Sequence, residues 1–159
     1  MRIIYLLLLS AVTLSACDDS RLFDKNVDFE NRSWMVNNKP EFEFRIDDPS
    51  QKYNVYCNVR NTLSYPYSRL FVTYYLQDSI GLVLEKKLVQ YSLFDEKTGK
   101  PFGNSGLGDI YDHRIPLISN HQFPYKGTHK IKLEQYMRTD TLSGILAVGV
   151  RIEKVVAEK

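Results

Sequence analysis

Between Glu41 and Asp47 the chain reads EFEFRID, with Phe42, Phe44 and Ile46 at alternate positions and Glu41, Glu43 and Arg45 between them. A period of two sends every apolar side chain to one face and every charge to the other, the pattern of a half-buried β-strand. The same alternation returns at Tyr53–Arg60, in HKIKLEQYM (129–137) and in GILAVGVRIEKVV (144–156). Leu70–Gln77 is β-branched and aromatic with little charge and reads as a central strand, and Leu82–Leu93 continues the pattern more weakly. Turns are predicted at DDPSQ, NTLSYPYS and FPYKGT, with Pro66 between two tyrosines a candidate for a cis or otherwise rigid bend. The segment DEKTGKPFGNSGLGD (95–109) is a long loop, and Ile110–Ile118 is a short strand stopped by Pro116. No segment carries a sustained helical stripe; Tyr65–Phe71 and Leu82–Phe94 are the places best able to hold a short helix. The expected fold is all-β, a single antiparallel β-sandwich or jelly-roll-like domain over residues 40–156.

The first residues do not belong to that domain. Arg2 followed by IIYLLLL (3–9) has the charge and apolar run of a secretory signal peptide, and the run is too short for the ~20 apolar residues that span a bilayer. The stretch ends in Leu14-Ser15-Ala16-Cys17, which resembles a bacterial lipobox: an apolar residue, two small ones, then a cysteine whose thiolate takes the lipid. Residues 1–16 are therefore expected to be a signal peptide and Cys17 the lipidation site. Residues 17–39 then form a lipidated tether and N-terminal element, with Trp34 docking the tether on the domain. Two or three acyl chains anchor a protein firmly where one alone is marginal.

This reading changes what the two cysteines mean. A pair in an oxidising compartment suggests one disulfide. A thioether on Cys17 leaves Cys57 as a lone thiol, in phase with Tyr53, Val55 and Val59 and so facing the core. The charge balance, 21 basic against 19 acidic side chains, is too even to argue for nucleic acid or an anionic membrane as the main partner.

A search for chemistry finds little. GNSGLG (103–108) lacks the Lys-Ser/Thr of a phosphate loop and the register of a dinucleotide loop. Asp109, Asp112 and His113 are the one dense acid–histidine patch, more readily a solvated strand end than a metal site. His113, His121 and His129 need not converge, and Glu41, Glu43 and Asp109 nominate no catalytic pair. No catalytic residue, metal or cofactor is expected. Tyr65, Tyr67, Tyr74, Tyr75 and Tyr111 are either core residues or an aromatic face for glycan or peptide.

The order of the motifs is more telling than any one of them. Cys17 followed by Asp18, then Trp34, YxVxxxxRN (53–61), YPYS (65–68), GxGDI (106–110), FP (123–124), QYMR (135–138) and LSGI (142–145) resembles the GldH-type gliding-motility lipoprotein family of the Bacteroidota. Arg69 departs from the asparagine common in that family after YPYS. The resemblance implies a non-enzymatic envelope lipoprotein, an accessory or scaffold component of gliding motility and of the linked type IX secretion machinery. It also points to the outer membrane, where in some bacteria an acid after the Cys, as Asp18 is here, instead favours inner-membrane retention, and to other motility or secretion lipoproteins as partners; a periplasm-facing domain is expected over a surface-facing one. It marks Arg60, Asn61, Tyr65, Pro66, Tyr67, Asp109, Gln135, Met137 and Arg138 as a structural or partner-binding cluster. Within it, Arg60 or Arg138 is expected to be held by a carboxylate such as Asp109 or Asp140. DSI (78–80) and DTL (140–142) resemble the O-glycosylation motif of these bacteria, at Ser79 and Thr141. The competing expectation is a sandwich that binds glycan or peptidoglycan on its tyrosines.

Overall fold

The computed structural model describes residues 20–156. Eleven strands and one 3-10 turn make up these residues. The strands are β1 (Arg21–Asp28), β2 (Ser33–Met35), β3 (Glu41–Ile46), β4 (Lys52–Thr62), β5 (Arg69–Asp78), β6 (Val83–Ser92), β7 (Asn104–Ser105), β8 (Ile110–Gln122), β9 (Gly127–Gln135), β10 (Thr141–Ser143) and β11 (Ile145–Lys154). One sheet runs β1-β11-β4-β8-β7, a second β3-β9-β5-β6, and β10-β2 forms a two-stranded ribbon. Every pairing is antiparallel. No helix among these residues is long and apolar enough to cross a membrane.

The alternation in the sequence becomes the core directly. Phe42, Phe44 and Ile46 of β3 are buried, as are Tyr53, Val55, Cys57 and Val59 of β4 and Ile131 and Leu133 of β9. The two sheets face each other through these residues. Phe23 on β1 packs against Phe44 on β3 with ring centroids 5.8 Å apart, and the Tyr91 hydroxyl of β6 donates to the Pro116 carbonyl of β8 at 3.0 Å. This is the expected antiparallel sandwich.

Four local expectations give way. First, no tether precedes the domain beyond residue 20. RLFDKNVD is β1, paired with β11 from Arg21↔Glu153 to Asp28↔Ala147, so the sandwich reaches upstream of residue 40. Trp34 does anchor the next element: it is fully buried, stacks on Phe29 at 5.5 Å, and its indole Nε1 donates to the Asn38 carbonyl at 2.8 Å. Second, residues 82–94 hold no helix. β6 is an edge strand whose Glu85, Val89 and Tyr91 reach inward while most of its other side chains stay exposed. Residues 65–71 form a turn leading into β5, also without helix. Third, Pro116 does not end β8, which continues to Gln122. The ladder with β4 is irregular there, Tyr56↔Pro116 being followed by Val55↔Ile118, and a bulge on a largely unpaired outer strand tolerates a residue without an N–H. Fourth, of the two forms open to Pro66 the cis one falls away: the bond before it is trans, like every other described peptide bond, in a turn closed by Tyr65.

Candidate functional site

Strand register decides which of the candidate residues meet. Arg60 and Asn61 are neighbours in β4, so their side chains leave opposite faces. Arg60 lies opposite Asp112 on β8, and its Nε donates to Asp112 Oδ1 at 2.8 Å on the outer face of the five-stranded sheet. A carboxylate does hold Arg60, as expected, but it is Asp112 and neither Asp109 nor Asp140. Asp109 lies just before β8, exposed, and its carbonyl accepts the Leu63 N–H at 2.8 Å. Arg138 is exposed and closes no salt bridge among the described residues. Asn61 is fully buried, its Nδ2 donating to the Thr62 carbonyl at 2.9 Å.

The rest of the cluster does converge, at one end of the sandwich. Tyr65 is buried and its hydroxyl donates to the Arg69 carbonyl at 2.9 Å, closing the YPYS turn. Burial raises its phenol well above the ordinary range, so it stays protonated. Gly144 has φ +85 and lies so close that a Cβ there would fall 2.8 Å from Tyr65 Cα. Glycine is required at this contact on both counts. Gln135 is buried and clamps the following loop: its Nε2 donates to the Thr139 carbonyl at 3.0 Å while its Oε1 accepts the Met137 N–H at 2.8 Å. That clamp sets Met137 over β5, where its sulfur accepts the Phe71 N–H at 3.4 Å.

Two clefts flank this group. One, of about 770 Å³, is lined by Tyr65, Pro66, Tyr67, Phe94 and Leu63, with Arg69, Asp95 and Glu96 at its edge. The other, of about 760 Å³, is lined by Leu88, Tyr136 and Arg138. Both share Tyr67, Phe71 and Met137. Leu63, Tyr67, Leu88 and Tyr136 are exposed here. The charges at the edge are already engaged. Arg69 pairs with Glu96, and Asp95 accepts from the Thr98 N–H at 2.7 Å, which holds its carboxyl below the usual range. Leu63, Phe71, Phe94, Leu88 and Tyr136 were not anticipated. The available signal was an apolar residue inside a polar turn, as Leu63 is in NTLSYPYS.

The five tyrosines do not form one face. Tyr65 and Tyr74 are core residues, and Tyr111 belongs to β8 in the opposite sheet from Tyr74 and Tyr75. Tyr75 lies on the outer face of β5 between two cations, with Lys132 Nζ 4.6 Å and Lys86 Nζ 5.0 Å from its ring centroid. Its hydroxyl donates to Glu134 at 2.7 Å, which pushes its own ionisation up to about 12. Of the rings around the clefts, Tyr65 and Phe94 stack at 16° but are buried, and Tyr67 meets Tyr65 edge-on at 70°.

Among the described residues no three His, Cys, Asp or Glu side chains gather as a metal site. Asp112 points outward to Arg60, while His113, the next residue, is buried. Cys57 is a free, fully buried thiol whose ionisation burial pushes up to about 12. Ser79 and Thr141 are exposed, on the β5–β6 turn and at the start of β10. Cys17 and residues 1–16 lie outside the described residues.

Fold and clefts together define an antiparallel β-sandwich that presents an open, aromatic end. The chain belongs to the GldH lipoprotein family, whose model matches residues 21–152. It is 28% identical over 159 residues to the "Gliding motility lipoprotein GldH homolog" of Christiangramia forsetii, spanning 95% of this chain and 94% of that one. It is 29% identical over 156 residues to the "Gliding motility lipoprotein GldH" of Flavobacterium johnsoniae, spanning 94% of each. Among solved structures, the VP2 subviral particle of infectious bursal disease virus superposes on 90% of this chain and 36% of its own, with a TM-score of 0.42 and 13% identity. A likeness that loose carries no functional argument.

Proposed function

We propose that this chain is a lipid-anchored component of gliding motility and of the linked type IX secretion machinery, and that it docks another envelope protein on its aromatic end. Lipid on Cys17 holds it to the outer membrane, facing the periplasm. The names of the relatives support the motility role. The observation that carries the docking role is the pair of adjoining clefts, which expose Leu63, Tyr67, Leu88 and Tyr136 around Met137. Exposed aromatic and aliphatic side chains around a half-buried methionine in one concave region are the composition of a protein-contact surface. The Arg69–Glu96 pair and the capped Asp95 suit the rim of an interface better than acid–base chemistry.

A glycan-binding reading draws less support. Sugar stacking wants two or three exposed rings in one plane, and the near-parallel pair here, Tyr65 and Phe94, is buried.

The test is photo-crosslinking from position 67 in native envelopes. Capture of a motility or secretion component, lost in Met137→Ala, is expected. Recovery of no such component would overturn the docking role. Separately, Cys17→Ser should release a folded protein from the membrane fraction, and a mutant that stays membrane-bound would remove the anchor.

A further inference from the structure

The chain enters the sandwich at the end opposite the clefts. Arg21 pairs with Glu153 at the close of β11, and the Lys154 N–H donates to the Ser20 carbonyl at 2.7 Å. The same end holds the start of β4 at Lys52, the turn between β8 and β9 with Lys126, and the β5–β6 hairpin. A ring cluster ties the two sheets together there, with Tyr53 and Phe123 at 5.5 Å and Phe123 and His129 at 4.8 Å. Cys17 lies three residues before Ser20. Three residues span at most about 10 Å even when fully extended.

The β5–β6 hairpin at this end is apolar at its tip. Ile80 is 87% exposed and Leu82 62%. The Asp78 carboxylate sets the turn by accepting the N–H groups of Ile80 at 3.0 Å and Leu82 at 2.8 Å, and Gly81 takes φ +90 between them. Lys52, Lys126 and Lys154 are exposed at the same end and close no salt bridge among the described residues. Of the acids nearby, Asp47 pairs with Arg45, while Asp48 and Asp78 keep their charge as hydrogen-bonded carboxylates, Asp48 within electrostatic reach of Lys154.

We infer that this end rests on the bilayer that holds the anchor, with Ile80 and Leu82 entering the headgroup boundary and the three lysines facing lipid phosphates. The inference depends on Cys17 carrying the lipid. A link of at most about 10 Å keeps this end within reach of the surface at all times. Exposed aliphatic side chains flanked by cations match the chemistry of that boundary.

The experiment uses the lipidated protein in vesicles of phosphatidylethanolamine and phosphatidylglycerol. Ile80→Cys is labelled with an environment-sensitive fluorophore; the other thiol, Cys57, is buried and unreactive. Leu107→Cys, on the exposed loop before β8 at the cleft end, is the reference. Lipid-borne nitroxide is expected to quench the label at position 80 at least two-fold more than the label at 107. Equal quenching, in protein that floats with the vesicles, overturns the inference and leaves the anchor standing. A label at 80 shielded from aqueous iodide but untouched by lipid nitroxide also overturns it, showing that a protein or a glycan on Ser79 covers the tip. Protein that fails to float overturns the anchor and this inference together.

Discussion

Asn26 and Asn58 meet over Gly149. They stand on β1 and β4, on either side of β11, and both lie opposite Gly149 in the ladder. With no side chain between them, Asn58 Nδ2 donates to Asn26 Oδ1 at 3.2 Å and to Asp24 Oδ1 at 3.0 Å. A Cβ on Gly149 would fall 1.9 Å from Asn26 Oδ1 and 2.4 Å from the Lys25 carbonyl oxygen. Gly149→Ala is expected to push β1 off the sheet edge and cost roughly 1–3 kcal/mol, read as a lower denaturation midpoint. Adding Asn26→Ala should not restore stability, because the Lys25 carbonyl belongs to the backbone. Full recovery in the double variant would show that the side chain alone sets the requirement.

Arg151 and Arg60 point out of the same sheet into different surroundings. The Arg151 side chain is 6% exposed and donates to Asp24 at 2.8 Å and to Glu153; the Arg60 side chain is 46% exposed beside Asp112. Removing one member of a buried pair leaves charge without compensation, whereas an exposed pair is weak. Arg151→Ala should cost roughly 3 kcal/mol and Arg60→Ala about 1 kcal/mol or less, compared by urea titration. Equal losses would mean that solvent reaches both sites alike.

Burial depresses the pKa values of His113, His121 and His129 below the ordinary histidine value of 6.5. A histidine depressed in the folded state is neutral there while the unfolded chain takes up the proton first. Stability is therefore level above about pH 6.5 and falls as the pH drops below it, through the depressed folded values. His129, fully buried and stacked on Tyr125 at 4.4 Å, contributes to this acid lability. Unfolding midpoints from pH 7.5 to 5 should decline, and His129→Gln should flatten the decline. A midpoint that rises on acidification would contradict the assignment.

Cys57 pairs across the ladder with Val150 and Ile115 and has no exposed surface. With its thiol pushed up to about 12, alkylation at pH 8 should wait on global opening of the sandwich. The labelling rate should then follow the unfolding equilibrium across a denaturant series. Fast labelling without denaturant would place a local opening between β4 and its neighbours.

The strands that face the core on one side were legible because apolar residues at every second position admit one arrangement. Phe42-Glu43-Phe44 could be nothing else. β1 was hidden because an edge strand buries little: Leu22 and Phe23 pack against the core while Asp24, Lys25 and Asn26 stay exposed. Its polar letters read as a tether, although Asp24 and Asn26 serve the network around Gly149 and Arg151. At the candidate site, YPYS and QYMR were legible as motifs because their turns are built locally by Tyr65 and Gln135. The partner of Arg60 was not. Asp109 and Asp112 are equally plausible in sequence, and cross-strand register, which a linear reading does not contain, selects Asp112.

On the anchoring and docking proposed above, the entry of the chain at Ser20 would set a height as well as an orientation. β4 crosses the sandwich in eleven residues, about 35 Å, from the end that receives the chain to the end that carries the clefts. With Cys17 acylated, the domain becomes a short post whose binding surface travels in a plane parallel to the bilayer. Its search for a partner is then two-dimensional, and the partners it meets are those whose own architecture places a complementary surface at that altitude.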